Sequence, residues 1–233
     1  MPVTTVGNVI KKAKLVLQEV TSAGTRWTNE ELIGWLNESY QAVVQVKPDA
    51  ASINAKLQLV TGTRQTIPSA GHRLIDVIRN TSANSQGYGI LVATRRSIDQ
   101  TRRGWHNDSI SYDIEQFMFD DLDPTHFYVY PPARSGAEVE LIYSAVPTPH
   151  SAESGLAAVE GDLIKLPDAY APCMLDYILY RAYSKDAGHA ANLNRAQMHF
   201  SAFGNSLGIK AELDMANSPN AVDGSSNPQR ANR

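Results

Sequence analysis

The chain has 233 residues, of which 42% are hydrophobic and 19% charged, and its formal net charge is -3. That length can bury one large core or two small ones, and the composition is typical of a folded globular protein. The mild acidity excludes a global basic field that would recruit nucleic acid or an anionic membrane. Cys173 is the only cysteine, which excludes an intrachain disulfide and a cysteine-rich metal site.

Two helices are predicted at the N-terminus. Apolar residues recur at helical spacing over Val6–Val20, and Thr5 stands where an N-cap is expected. The second helix begins with a capping box formed by Thr28 and Glu31, in which each side chain bonds the other's backbone N–H. Pro48 should end this helix, because it disfavours the helical conformation of the residue before it.

The middle of the chain is predicted to be rich in strands. Leu57–Val60 and Gln65–Ile67 flank a turn that contains glycine and indicate a hairpin. Gln116–Phe119 and Phe127–Tyr130 flank a second turn, rich in aspartate and proline. Val139–Tyr143 lies in a segment where apolar and acidic residues alternate, which predicts a further strand.

Two more helices are predicted after a connector rich in proline, glycine and serine. The third helix covers about Pro167–Ala187 and the fourth about Ala190–Leu207, with Gly208 as its stop signal. The fourth helix has four apolar residues in register: Leu193, Ala196, Phe200 and Phe203. From Asn217 onward the sequence holds too few large apolar residues to order by itself.

The predicted fold class is α+β. The N-terminal and C-terminal helix pairs are expected to form a four-helix bundle, with the β-rich region inserted between them and a flexible C-terminal tail. The predicted divisions are residues 1–55 for the N-terminal helices, 56–145 for the β-rich insertion, 146–166 for the connector, 167–210 for the C-terminal helices and 211–233 for the tail.

No catalytic, cofactor-binding or metal-binding residue is predicted. The six histidines show no metal-binding spacing, and there is no phosphate-binding loop or nucleophile elbow. Asp120, Asp121 and Asp123 precede Pro124, but the glycine and terminal glutamate of a calcium-binding loop are missing. A hairpin turn explains the same residues.

One basic cluster stands out, formed by Arg95, Arg96, Arg102 and Arg103 just before Trp105. The segment around it is predicted to be a short helix or a loop. Arginines beside an aromatic residue can bind a nucleic-acid backbone and stack on a base. A solvated loop, or a patch that faces an acidic neighbouring subunit, is the preferred interpretation of the cluster.

Three motifs together resemble a known protein family. They are Arg26–Leu32 followed by Trp35, Leu36 and Asn37, then Phe127–Pro132, and finally Leu175–Asp186. In this order and spacing they resemble the head-to-tail adaptor proteins of tailed bacteriophages, also called connector or head-completion proteins. The resemblance covers about Thr4 to Lys210.

The resemblance implies a structural protein of the virion, assembled in the host cytoplasm, and not an enzyme. Adaptor subunits form a homo-oligomeric ring, usually a dodecamer, between the portal protein and the tail or nozzle protein. The ring extends the channel through which double-stranded DNA passes without specific binding, and no membrane is involved. The C-terminal tail, with Asp223, Arg230 and Arg233, is then expected to dock on the portal.

Two other functions remain open on the sequence alone. A tail-side completion or nozzle subunit would share the architecture and differ in the ring that it contacts. A DNA-binding regulator would use the arginine cluster instead.

Overall fold

The computed structural model describes residues 2–19, 21–22, 24–85, 87–120, 122–186 and 190–217. The chain divides into two compact units. The helical unit is formed by Met1–Lys47 with Pro149–Arg233, and the β unit by Pro48–Thr148. The fold is mixed α+β, as predicted, and no described helix is long and apolar enough to cross a membrane.

The described residues form six α-helices and seven strands. The helices are α1 Val6–Leu17, α2 Asn29–Val46, α3 Arg95–Thr101, α4 Leu156–Val159, α5 Ala171–Lys185 and α6 Ala190–Asn217. The strands are β1 Ser52–Gln58, β2 Gly62–Thr66, β3 Gly71–Asn80, β4 Leu91–Val92, β5 Gln116–Phe119, β6 His126–Ala133 and β7 Glu138–Ala145.

The predicted starts of the first two helices are confirmed, whereas the third predicted helix begins at Ala171, after a 3₁₀ turn at Asp168–Tyr170, and not at Pro167. The Thr5 side chain accepts a hydrogen bond from the backbone N–H of Asn8 and caps α1. Thr28 and Glu31 form the capping box of α2, with hydrogen bonds of 3.3 and 3.1 Å. Helix α1 ends at Leu17, earlier than predicted, because Gln18 adopts a left-handed conformation that closes the last turn.

Helix α5 is central to the helical unit, since it contacts α1, α2 and α6. Trp27, which precedes the α2 capping box, is buried, and its indole N–H donates to the carbonyl of Ala182 at 3.0 Å. Lys185, at the end of α5, binds the Glu31 carboxylate at 2.6 Å. The start of α2 is therefore tied to the end of α5, while the four-helix bundle as a whole stays a prediction.

The connector is fastened to α2 by a buried histidine. The backbone of His150 exchanges two hydrogen bonds with the Asn37 side chain, at 2.8 and 2.9 Å. Its ring lies 3.1 Å from the Tyr40 hydroxyl and 3.3 Å from the Asp162 carboxylate. Burial lowers the pKa of His150, which favours its neutral form.

The predicted end of the fourth helix is wrong, and its predicted apolar face is confirmed only in part, since Ala196 and Phe203 are buried while Leu193 is 47% exposed. Helix α6 continues through Gly208 to Asn217. A glycine inside a helix costs only about 1 kcal/mol, and Lys210, beyond Gly208, lies over the ring of the buried Tyr170 at 5.1 Å. Phe200 is 53% exposed and lies beside Tyr180, so it is not a core residue.

The described part of the β unit contains two sheets. One has the order β1-β7-β3 and the other β2-β6-β5-β4, and their buried side chains share one apolar core. All pairs are antiparallel except β4 with β5. The predicted pairing of β5 with β6 is confirmed, and β7 is the predicted strand after them.

The first predicted hairpin is wrong, because β1 and β2 belong to different sheets. The Gln65 side chain is buried and bonds both the N–H and the carbonyl of Val60 at 2.8 Å. Leu59 instead donates to Ala137 at 2.8 Å and extends the β1–β7 ladder. The short link between the strands is therefore closed by a side chain, and each strand finds its partner much later in the chain.

Candidate interaction surface

The predicted arginine cluster surrounds α3 in the β unit. Thr94 caps this helix by accepting from the backbone N–H of Ser97 at 3.2 Å. Arg95 and Arg96 are its first two residues, and Arg102 and Arg103 follow its last. A 3₁₀ turn at Trp105–Asn107 then returns the chain toward the sheet.

Trp105 anchors this segment on the sheet. Its side chain is fully buried in a small cluster with Ile98 and Met118, and its indole N–H donates to Asp99 at 2.9 Å. The ring meets those of Tyr128 and Tyr130, on β6, edge to face. A large apolar side chain with one satisfied donor holds the short helix where local propensity alone would not.

A second contact fixes the turn from the other side. The His106 ring stacks on Trp105 with centroids 3.8 Å apart. Its Nδ1 lies 2.8 Å from the Thr63 hydroxyl on β2. The arginines are thus displayed by a segment held at both its buried face and its end.

The four arginines do not have the same surroundings. Arg102 donates to the Tyr130 hydroxyl at 2.9 Å and pairs with Asp108 at 2.7 Å. Arg95 forms a long pair of 3.9 Å with Asp99, one turn along α3. Arg96 and Arg103 are exposed and form no ion pair with any residue in the described ranges. Those two guanidinium groups are the ones available to a partner.

A cleft of about 350 Å³ lies beside α3. It is lined on the α3 side by Arg95, Arg96 and Asp99, and elsewhere by Met118, Phe119, Asp120, Asp123, His126 and Tyr128. Basic and acidic side chains therefore share one concave surface with an apolar floor. The sequence indicated the basic residues, but the aspartates were interpreted only as turn residues.

Asp123 is held in its charged form. The hydrogen bond from His126, whose Nδ1 lies 2.8 Å away, lowers the pKa of the Asp123 carboxyl, and Arg64 at 3.5 Å adds to the effect. Asp120 accepts the backbone N–H of Leu122 at 3.0 Å. The cleft presents fixed charges of both signs, which suits a polypeptide surface of mixed charge better than a uniformly anionic ligand.

The described residues offer no group of three or more histidine, cysteine, aspartate or glutamate side chains that could hold a metal ion. Asp121 lies outside those residues. Cys173 is buried in α5, and burial raises the pKa of its thiol to about 11. A thiol that stays protonated at neutral pH is a poor nucleophile.

A comparison with protein families decides the identity. The family model described as SU10 adaptor protein matches residues 4–223. The chain belongs to the SU10 adaptor family. A search of curated proteins found no match.

Membership of the SU10 adaptor family confirms the resemblance to phage head-to-tail adaptors. The protein is accordingly a structural component of a phage particle, from a family that is structural rather than catalytic. The match spans both units and therefore includes the arginine cluster and the cleft.

The predicted docking residues of this SU10 adaptor protein, Asp223, Arg230 and Arg233, lie outside the described residues. Asp223 is the last residue that the family model matches. Arg230 and Arg233 lie beyond the match.

Proposed function

We propose that the protein forms a ring between the portal vertex and the tail of a phage, extends the DNA channel and docks tail proteins. This proposal rests on the family match over residues 4–223, which includes residues of both units. The ring is proposed to be a dodecamer that encloses DNA without binding it specifically. The formal charge of -3 supports passage of DNA without adhesion.

The helical unit is proposed to supply part of the subunit contacts of the ring. Its α1, α2, α5 and α6 helices are proposed to form one bundle, and α5 already contacts the other three. The C-terminal segment, with Asp223, Arg230 and Arg233, is proposed to be the arm that docks on the portal. Too few large apolar residues follow Asn217 for that segment to stabilise a fold of its own.

The arginine surface is proposed to face an acidic surface of a neighbouring subunit. Arg96 and Arg103 have no ion pair in the described part of the chain, so a carboxylate of a partner can form an ion pair with either of them without displacing another carboxylate. Asp120 and Asp123 lie in the adjoining cleft. Because these carboxylates give the surface charges of both signs, a protein partner fits it better than the DNA backbone does.

The test is reconstitution with purified portal rings. The mixture should give a complex whose mass corresponds to a closed ring of subunits on each portal, measured by light scattering after size exclusion. Binding to tail proteins without binding to portal would instead establish a tail-side subunit. Tight, sequence-specific binding to duplex DNA by a small oligomer would establish a regulator.

Two variants separate the proposed surfaces. A protein that ends at Asn217 should melt like the full chain and lose portal binding, and normal portal binding would exclude the arm. Arg96→Glu combined with Arg103→Glu should weaken ring closure while leaving the melting temperature unchanged. Its matched control, Arg96→Lys with Arg103→Lys, keeps both charges and should assemble. If the charge reversal assembles equally well, the arginine surface is not an interface.

A further inference from the structure

Strand β1 forms one edge of the three-stranded sheet, and its outer side has no strand partner in the described part of the chain. Its register with β7 is regular over Ser52–Gln58, with no bulge. An exposed strand edge is a template for pairing with another chain, because it presents a row of unpaired backbone donors and acceptors.

The ladder shows which backbone groups are unpaired. Leu59 donates to Ala137, and this pair continues the β1–β7 register, so the odd-numbered residues of β1 direct their N–H and carbonyl groups toward β7. The even-numbered residues direct theirs outward: Ser52, Asn54, Lys56 and Gln58. None of these outward groups bonds another residue that the structure describes.

The usual protections of an edge strand are largely missing from β1. The opposite edge, β3, has three register shifts against β7, and its outer groups bond the segment that follows it: Asn80 donates to Tyr88, and Ile90 donates to Ile78. Strand β1 contains no proline and no bulge. Lys56 is its only charged residue, and Glu138 on β7 lies 3.6 Å away.

The apolar face of β1 is also incompletely covered. Ala55 and Leu57 pack against the core of the β unit but are only partly buried, and Ile53 is 41% exposed. A partner strand that paired with the outer edge of β1 would lie beside these side chains and cover them. Among the residues that the structure describes, neither the backbone edge nor the adjoining apolar face thus has an occupant.

A second copy of the same strand fits this edge. Antiparallel pairing about a two-fold axis at Ala55 overlaps all of β1, and each outward residue meets an outward residue: Ser52 meets Gln58, and Asn54 meets Lys56. The apolar faces become continuous, with Ile53 beside Leu57 of the other copy. A shift by two residues in one direction would place Lys56 opposite itself, which like charge disfavours. The same shift in the other direction would leave Leu57 and Gln58 without a partner in β1.

The charges favour the centred register. Lys56 would lie opposite Asn54 of the other copy, and the amide of Asn54 is already hydrogen-bonded to Glu140 at 2.8 Å. The cation is therefore brought toward a carboxylate.

We propose that free subunits associate as a dimer through antiparallel β1–β1 pairing, which joins two three-stranded sheets into one. This dimer is independent of the ring proposed above, and it concerns the protein before it meets the portal.

The first test removes an outward donor without disturbing the subunit. The unmodified protein should approach twice its 25.5 kDa subunit mass as its concentration is raised, measured by light scattering without portal present. Lys56→Pro deletes an N–H that faces away from β7, and should raise the dimer dissociation constant by at least about tenfold. Lys56→Ala loses the same side chain but keeps the N–H, and should still dimerise.

A protein that stays monomeric at every concentration overturns the proposal. So does equal dimerisation of Lys56→Pro and Lys56→Ala, since the contact would then lie elsewhere. Ring formation on the portal remains a separate measurement, and its failure would not affect the dimer.

The second test reads the register directly. In the proposed pairing Ala55 faces Ala55 of the other copy at a non-hydrogen-bonded position, where Cα atoms lie about 4.5 Å apart, within disulfide range. Ala55→Cys should form a covalent dimer on mild oxidation. Ile53→Cys, which would face Leu57, should stay reduced. Cys173 is buried and does not complicate the readout. Equal cross-linking of both variants, or of neither, contradicts the register.

Discussion

Leu179→Ala tests the placement of α5 in the helical core. Leu179 is 2% exposed and lies on the helix that contacts α1, α2 and α6. The change removes three carbon atoms, and burial of each methylene stabilises by about 0.8 kcal/mol, which gives about 2.4 kcal/mol for transfer alone. The cavity left behind adds to this figure, so we expect a loss of about 2–5 kcal/mol in the free energy of unfolding.

The measurement is chemical denaturation followed by the helical circular dichroism signal, because most described helical residues belong to the helical unit. Two units can unfold separately, so the transition is fitted for the helical signal alone. The control is Leu193→Ala, on α6, where the leucine is 47% exposed. We expect the loss in the free energy of unfolding at Leu193 to be well under half of the loss at Leu179. Equal effects of the two substitutions would refute the assignment of Leu179 to the core.

Three further predictions concern the junction before α2. Trp27→Phe removes the hydrogen bond to Ala182 but keeps an aromatic ring, and should lower the free energy of unfolding by about 0.5–1.5 kcal/mol in the same denaturation assay. Thr28→Ala opens the capping box and should cost about 0.5–2 kcal/mol, whereas Thr28→Ser should be nearly neutral. The backbone N–H of Arg26 donates to Glu19 and lowers the pKa of that carboxyl from 4.5 to about 2. The contribution of the Glu19 carboxylate to stability is therefore present above pH 4.5 and lost as the pH falls toward 2. The melting temperature of Glu19→Gln should accordingly depend less on pH in that range than the melting temperature of the unmodified protein.

Only the basic part of the candidate surface could be predicted from the sequence. The spacing of Arg95, Arg96, Arg102 and Arg103 identifies a basic segment, because all four lie within a few residues of one another. Their neighbours in the fold come from β5, β6 and the turn between them, and no local pattern links those residues to α3. The cleft exists because buried Trp105 fastens α3 beside that hairpin.

Local sequence determined the starts of α1 and α2, the β5–β6 pairing and the α+β class, because a cap or a tight turn involves residues that are neighbours in the chain. Only the tertiary structure decided that β1 and β2 join different sheets, since their partners β7 and β6 are distant in sequence and the Gln65 amide closes the link between them. The same holds for α6, which continues past Gly208, where Lys210 lies over the ring of Tyr170. A single glycine weakens a helix by only about 1 kcal/mol, so Gly208 alone does not decide where the helix ends, and the sequence does not show which contacts will form beyond it.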